Sequence, residues 1–194
     1  MRLSATKLES FRLFCTADWM RLDQVIASMR DEVEVSDSMR VGSAFEACVN
    51  DNSYYQEFPS RDGFTFCGKH IANVQRTIPL SGAIQPKVEK KLMGCTVVGK
   101  ADYIYGLTCH DLKATFSPID GDKYSDSLQW KVYCWLFKCQ SFFYDIAFLK
   151  PKNGVYYVHK YDQLIYRPYP GMVDEISSWV SRTSQFVEAL DTEG

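Results

Sequence analysis

The stretch from Gly99 to Lys113 constrains this chain most. Tyr103, Ile104, Tyr105, Leu107, Thr108 and Cys109 favour extended backbone and Gly106 permits a reversal, so the segment predicts two β-strands closed as a hairpin. Asp102 falls on the first strand and Asp111-Leu112-Lys113 on the second. Side chains alternate faces along a strand, so Asp111 and Lys113 project together while His110 and Leu112 enter the opposite layer. Two carboxylates and an ammonium group then meet at one edge. Carboxylates are ligands for hard divalent cations, and an adjacent lysine can orient or deprotonate a water and offset charge on a phosphate.

An acid-x-lysine triplet alone discriminates poorly, since roughly one or two are expected by chance in this composition. A second one, Glu89-Lys90-Lys91, has Asp62 as its nearest upstream aspartate and reads as a solvated strand face. Gly94 to Ala101 nearly matches the phosphate-loop pattern, but Ala101 has no hydroxyl, Thr96, Val97 and Val98 are strand formers, and no helix start follows. His70, His110 and His159 show no zinc-ligand spacing, and no nucleophile elbow is present.

With 194 residues and 46% hydrophobic content, one domain over 1–194 can bury a sizeable core. A net charge of −2 argues against coating nucleic acid by bulk positive charge, so any phosphate contact must be local. The seven cysteines form no C-x-x-C pair and read as buried free thiols in a reducing cytoplasm. Neither a secretory leader nor a membrane-spanning run is expected.

Along the chain, Thr6 and Glu9 have the form of a capping box for a first helix carrying Leu8, Phe11, Cys15 and Trp19. A second helix carries Leu22, Val25, Ile26 and Met29, and Ser38 can cap a third from Met39 to about Val49. These N-terminal helices, 4–50, are expected to pack on the core. Gly42 and Glu46 share one line of the third helix, and the mid-helix glycine suggests close approach of another backbone, a phosphate or simple tight packing. Residues 50 to 63 read as loop and 68 to 78 as helix. Ile84 to Val98 reads as two strands around Met93-Gly94, continuing into the hairpin as a largely antiparallel meander. A helix from Ser127 to Cys139 carries Gln129 and Tyr133 four residues apart; two strands joined at Asn153-Gly154 follow, then a C-terminal helix whose apolar stripe should pack on the sheet.

Taken in order, five of these segments resemble the PD-(D/E)xK nuclease superfamily, in its RecB-like and phage exonuclease branch. The S-x-S/T-x-L, G-x-x-x-H/E, G-x-x-D, D/E-x-K and Q-x-x-x-Y motifs stand here as Ser4 to Leu8, Gly42 to Glu46, Gly99 to Asp102, Asp111 to Lys113 and Gln129 to Tyr133. Each is degenerate alone, but five in order over residues 4 to 135 are far less easily accidental. Glu46 stands where many RecB-like nucleases have histidine and phage-type enzymes glutamate.

The resemblance implies an α/β (α+β) fold: a central mixed β-sheet flanked by helices with a restriction-endonuclease-like core. It implies a metal-dependent DNA nuclease, an exonuclease leaving 5′-phosphates in phage-type DNA recombination, repair or degradation. Glu46, Asp102, Asp111 and the Leu112 carbonyl would hold Mg²⁺ or Mn²⁺, and Lys113 would orient or activate water. Gln129, Tyr133 and Lys100 would bind the substrate backbone or brace the site. Apart from the resemblance, Lys87, Lys90, Lys91, Lys100, Lys150 and Lys152 are candidate phosphate contacts that read equally as solubilising surface charges, and Tyr54 and Tyr55 are candidates either for stacking on bases or for half-buried loop packing. Some relatives hold an iron-sulfur cluster through one early and three C-terminal cysteines; after Cys139 this chain has none, so no cluster is expected. The substrate is expected to be DNA, single- or double-stranded, with a helicase or recombination protein as partner for processive unwinding. An inactive nucleic-acid-binding or assembly module on the same fold, and a restriction-type endonuclease, remain alternatives.

Overall fold

The computed structural model describes residues 1–51 and 55–192; Tyr54 therefore lies outside the described residues. Strand β1 (Arg2–Ser4) leads into helix α1 (Ala5–Thr16), and the capping residue is Ser4 rather than Thr6, its side chain accepting from the Lys7 N–H at 3.1 Å. Helix α2 (Leu22–Arg30) follows, and α3 (Asp37–Asn50) is capped by Ser36 rather than Ser38, again two residues earlier than the spacing suggests. Both short serines satisfy otherwise orphaned first-turn N–H groups.

The segment expected as loop ends in two short strands, β2 (Ser60–Arg61) and β3 (Phe64–Phe66), before helix α4 (Gly68–Gln75). Strands β4 (Ala83–Ile84), β5 (Lys87–Leu92), β6 (Cys95–Lys100), β7 (Tyr103–Tyr105) and β8 (Thr108–Thr115) come next. The remainder is α5 (Gly121–Ser125), α6 (Leu128–Phe137), β9 (Ser141–Lys152), β10 (Val155–Tyr166) and α7 (Met172–Thr192).

The expected continuous meander is divided. Strands β5 and β6 pair with each other and with β1 in a three-stranded sheet, while β7 and β8 belong to a seven-stranded sheet of order β2-β3-β10-β9-β8-β7-β4. The chain crosses between sheets at Ala101-Asp102, and that crossing, rather than a second turn of the meander, sets the position of Asp102. The large sheet is mixed: β8 runs parallel to β9 and β3 parallel to β10, the other pairs being antiparallel.

Helices cover both faces. One layer joins α1, α6 and α7 to the sheet through Leu8, Leu128, Val132, Phe142, Tyr144 and Ile176; the other joins α3 and α4 through Phe45, Val49, Phe66, Ile71 and Leu112. Helix α7 lies across α1 and α6, which already occupy the sheet surface, so its stripe meets helices first; Trp179 and Phe186 close on Phe11. Gly99 lets α6 sit down on β6. A Cβ there would lie 2.5 Å from Leu136 Cδ1 and 2.9 Å from Tyr133 Cε1. Cys48, Cys95, Cys109, Cys134 and Cys139 are buried as expected, whereas Cys15 is exposed. Among the described residues no helix is long and apolar enough to cross a membrane.

Candidate active site

Strand alternation on β8 sends Asp111 and Lys113 toward the α6 side and Leu112 into the α3 layer, as the sequence predicts. Lys113 Nζ stands 2.6 Å from Asp111 Oδ2, and Asp111 is only 2% exposed. Asp102 sits in the bend just before β7 rather than on that strand. Register pairs Tyr103 with His110, which brings Asp102 alongside Asp111, and Asp102 Oδ2 accepts from the Leu112 N–H at 2.7 Å. Glu46 arrives from α3, with Oε1 accepting from Gln85 Nε2 at 2.9 Å.

The electrostatics follow from the Asp102 and Asp111 carboxylates beside the Lys113 ammonium, with Glu46 adding negative charge toward both aspartates. Burial pushes the Asp102 carboxyl up to about 8, the charges of Asp111 and Glu46 push in the same direction, and Lys113 opposes them. The Asp111 carboxyl is also raised, again chiefly by burial, with Lys113 pulling it back. Burial works against the Lys113 ammonium, but Asp111 and Asp102 more than offset it and hold the proton on Nζ above the usual lysine range. Excess negative charge on hard oxygen donors is the chemistry a divalent cation relieves. In this arrangement Asp102 and Asp111 each turn an oxygen onto a protein donor, and no three His, Cys, Asp or Glu side chains among the described residues already converge on one ion position. The donor set, hard oxygens carrying excess negative charge, fits a divalent cation by type and charge.

On α6, Tyr133 is buried and its hydroxyl donates to the Lys100 carbonyl at 3.0 Å, while Gln129 Nε2 lies 3.4 Å from that hydroxyl. Tyr133 thereby ties α6 to the end of β6, one residue before the crossing that carries Asp102. Gln129 lines a cavity of about 370 Å³ together with Arg12, Trp19, Lys113, Lys123 and Ser127. The Lys100 side chain is exposed. Of the other lysines, Lys90 donates to the Trp135 carbonyl at 2.6 Å and Lys91 to Thr96 Oγ1 at 2.7 Å, so both brace the small sheet. Lys87, Lys150 and Lys152 are exposed, as is Tyr55.

Two features escape the sequence pattern. Gln85 touches both Glu46 and the backbone of Asp102. On β9, next to β8, fully buried Asp145 accepts from Gln163 Nε2 and Tyr161 Oη and pairs with His110 Nδ1 at 2.8 Å. An aspartate inside the apolar run Phe142 to Leu149 is the signal that points to such a network.

No family model matches the sequence, and no curated protein matches it. Its fold is similar to that of several solved structures. A structure from Eubacterium rectale named a putative exonuclease superposes with a TM-score of 0.58 at 16% identity, covering 95% of this chain and 80% of that one. The alkaline exonuclease LHK-Exo from Laribacter hongkongensis gives 0.56 at 11% identity, covering 99% and 92%. A phage-related exonuclease from Haemophilus somnus 129PT gives 0.51 at 13% identity, covering 100% and 96%. The mixed sheet flanked by helices is thus a fold that this chain shares with these solved exonuclease structures.

Proposed function

We propose that this chain is a metal-dependent deoxyribonuclease that degrades DNA from ends and leaves 5′-phosphates. The observation that carries this reading is the Asp102 to Leu112 N–H bond beside the Asp111–Lys113 pair: two carboxylates and an ammonium group stand together where β7 pairs with β8. Support for DNA comes also from the fold: LHK-Exo, one of the similar structures, has been solved with dAMP.

Glu46, Asp102, Asp111 and the Leu112 carbonyl would hold Mg²⁺ or Mn²⁺. When bound, the cation neutralises charge on the scissile phosphate and lowers the pKa of a water. Lys113, held protonated by Asp111 and Asp102, acts as a hydrogen-bond donor and fixed positive charge toward the phosphate or the attacking water. That state favours orienting the water over deprotonating it. Tyr133 fixes the β6 end and Gln129 presents an amide to the substrate cavity. Lys100 and Lys123 offer exposed ammonium groups for the DNA backbone. The biological setting proposed is phage-type recombination or repair in a host cytoplasm, with a recombination or helicase partner supplying unwinding; the cysteines, free in the described residues, suit that compartment.

The test is digestion of labelled linear and circular DNA, single- and double-stranded, with Mg²⁺ or Mn²⁺. Wild type should shorten linear DNA and spare circles, and Asp111→Ala and Lys113→Ala should lose activity on the order of a hundredfold or more. Discrete cuts in circular DNA would point to a restriction-type endonuclease. Binding with no cleavage in either metal would make the chain a module that kept the fold without its chemistry.

A further inference from the structure

We infer that Gln85 is a positioning residue for the carboxylate cluster, an inference that rests on the metal-dependent nuclease reading. Its backbone has φ +52°, a left-handed conformation uncommon for glutamine. What holds it there is a pair of backbone bonds to the crossing between sheets: the Gln85 N–H donates to the Asp102 carbonyl at 2.7 Å, and the Ala101 N–H donates to the Pro86 carbonyl at 3.1 Å. The segment joining β4 to β5 is thereby clipped onto the segment joining β6 to β7.

From that clip the side chain reaches out to α3, where Nε2 donates to Glu46 Oε1 at 2.9 Å across 39 residues of chain. One residue thus grips the peptide of Asp102 and the carboxylate of Glu46 together. Left-handed Met93 and Lys138 lie at a hairpin turn and a helix end, and no side-chain bond from either to a site carboxylate is among those of the described residues. Gln85 is exposed, so its side chain supplies no core packing. A tight turn alone would favour glycine or asparagine here. The side-chain amide gives a specific reason for glutamine: it holds one oxygen of Glu46 while adding no charge, leaving the second oxygen available to a cation. An ammonium in the same place would compete with the cation for the carboxylate. Outer partners of this kind typically change metal affinity or activity by 10- to 100-fold.

Mn²⁺ alone is the probe: titrate wild type, Gln85→Gly and Gln85→Met by electron paramagnetic resonance, and measure the melting temperature of each without metal. Gln85→Gly relieves the left-handed backbone and removes the amide; Gln85→Met keeps the length and removes only the donor. Both should weaken Mn²⁺ binding by about tenfold or more, with Gln85→Gly melting at or above wild type and cleavage recovering at high Mn²⁺. Wild-type Mn²⁺ affinity in both variants would overturn the inference and leave the nuclease reading intact. A large fall in the metal-free melting temperature of Gln85→Gly would make the residue a structural one and also overturn it. Absence of Mn²⁺ binding by wild type would overturn both.

Discussion

The Glu9 carboxylate accepts a hydrogen bond from the backbone N–H of Leu128 at 2.6 Å, across 119 residues of chain. The glutamate expected to close a capping box on its own helix instead stabilises the first turn of α6, alongside the Ser127 cap, and is steadied by Arg12 at 2.7 Å. A carboxylate at a helix N-terminus satisfies orphan donors and complements the dipole.

Replacing Glu9 by alanine should therefore cost about 1.5–3 kcal/mol, read as a lower midpoint in urea unfolding. Since α6 carries Gln129 and Tyr133, catalysis should fall with it even though Glu9 has no hydrogen bond to Asp102 or Asp111 among those of the described residues. Glu9→Gln should recover part of both.

Two glycines of the site motifs should respond in opposite ways to alanine. At Gly42 the added Cβ would meet only Ala114 Cβ, at an ordinary 3.8 Å. Gly42→Ala should raise stability by about 0.5–1 kcal/mol. At Gly99 the same methyl collides with the Tyr133 ring and Leu136, and Tyr133 cannot swing away without releasing the Lys100 carbonyl. Gly99→Ala should destabilise by about 1–3 kcal/mol and lower activity. Thermal melts of the two variants check the contrast.

Metal-free stability should depend on pH through Asp102. Its folded carboxyl is raised from an ordinary 3.8 to about 8, so its contribution is fully present below the ordinary value and lost as pH rises through about 8. The difference in unfolding free energy between wild type and Asp102→Asn, measured from pH 4 to 9, should shift against wild type over that window. Stabilisation by Mn²⁺ should grow over the same range, because binding displaces the proton.

Asp145→Ala should be among the most damaging substitutions outside the candidate active site. It leaves His110, Tyr161 and Gln163 facing a buried void where they now share one carboxylate. A loss of about 3–5 kcal/mol is expected, measured by denaturant unfolding, with Asp145→Asn retaining more because its amide oxygen still accepts.

The hairpin from Tyr103 to Thr115, helices α2 and α6, and the Asn153-Gly154 turn are legible in the sequence because β-branched and aromatic alternation, helical spacing and turn residues are local signals. Helix starts at Ser4 and Ser36 were displaced by two residues because neighbouring serines and threonines compete as caps and only the fold chooses. The separation of β5 and β6 from β7 and β8 has no local signal, since pairing of β1 with β6 and of β8 with β9 depends on chain more than 30 residues away. The same reason hid Gln85, whose role lies in a bond to Glu46, and made Asp145 an isolated charge in an apolar run rather than the centre of a network. Motif order singles out Asp102, Asp111, Lys113 and Glu46 as candidates, while the turning of Asp102 onto the Leu112 N–H has no local signal.

The most direct measurement is anomalous X-ray scattering from crystals of this protein soaked in Mn²⁺. Strong density between the Asp102 and Asp111 carboxylates, within reach of Glu46 and the Leu112 carbonyl, is the predicted result. Crystals that show no ion there, with Asp102 still on the Leu112 N–H and Asp111 still on Lys113 at saturating Mn²⁺, would contradict it.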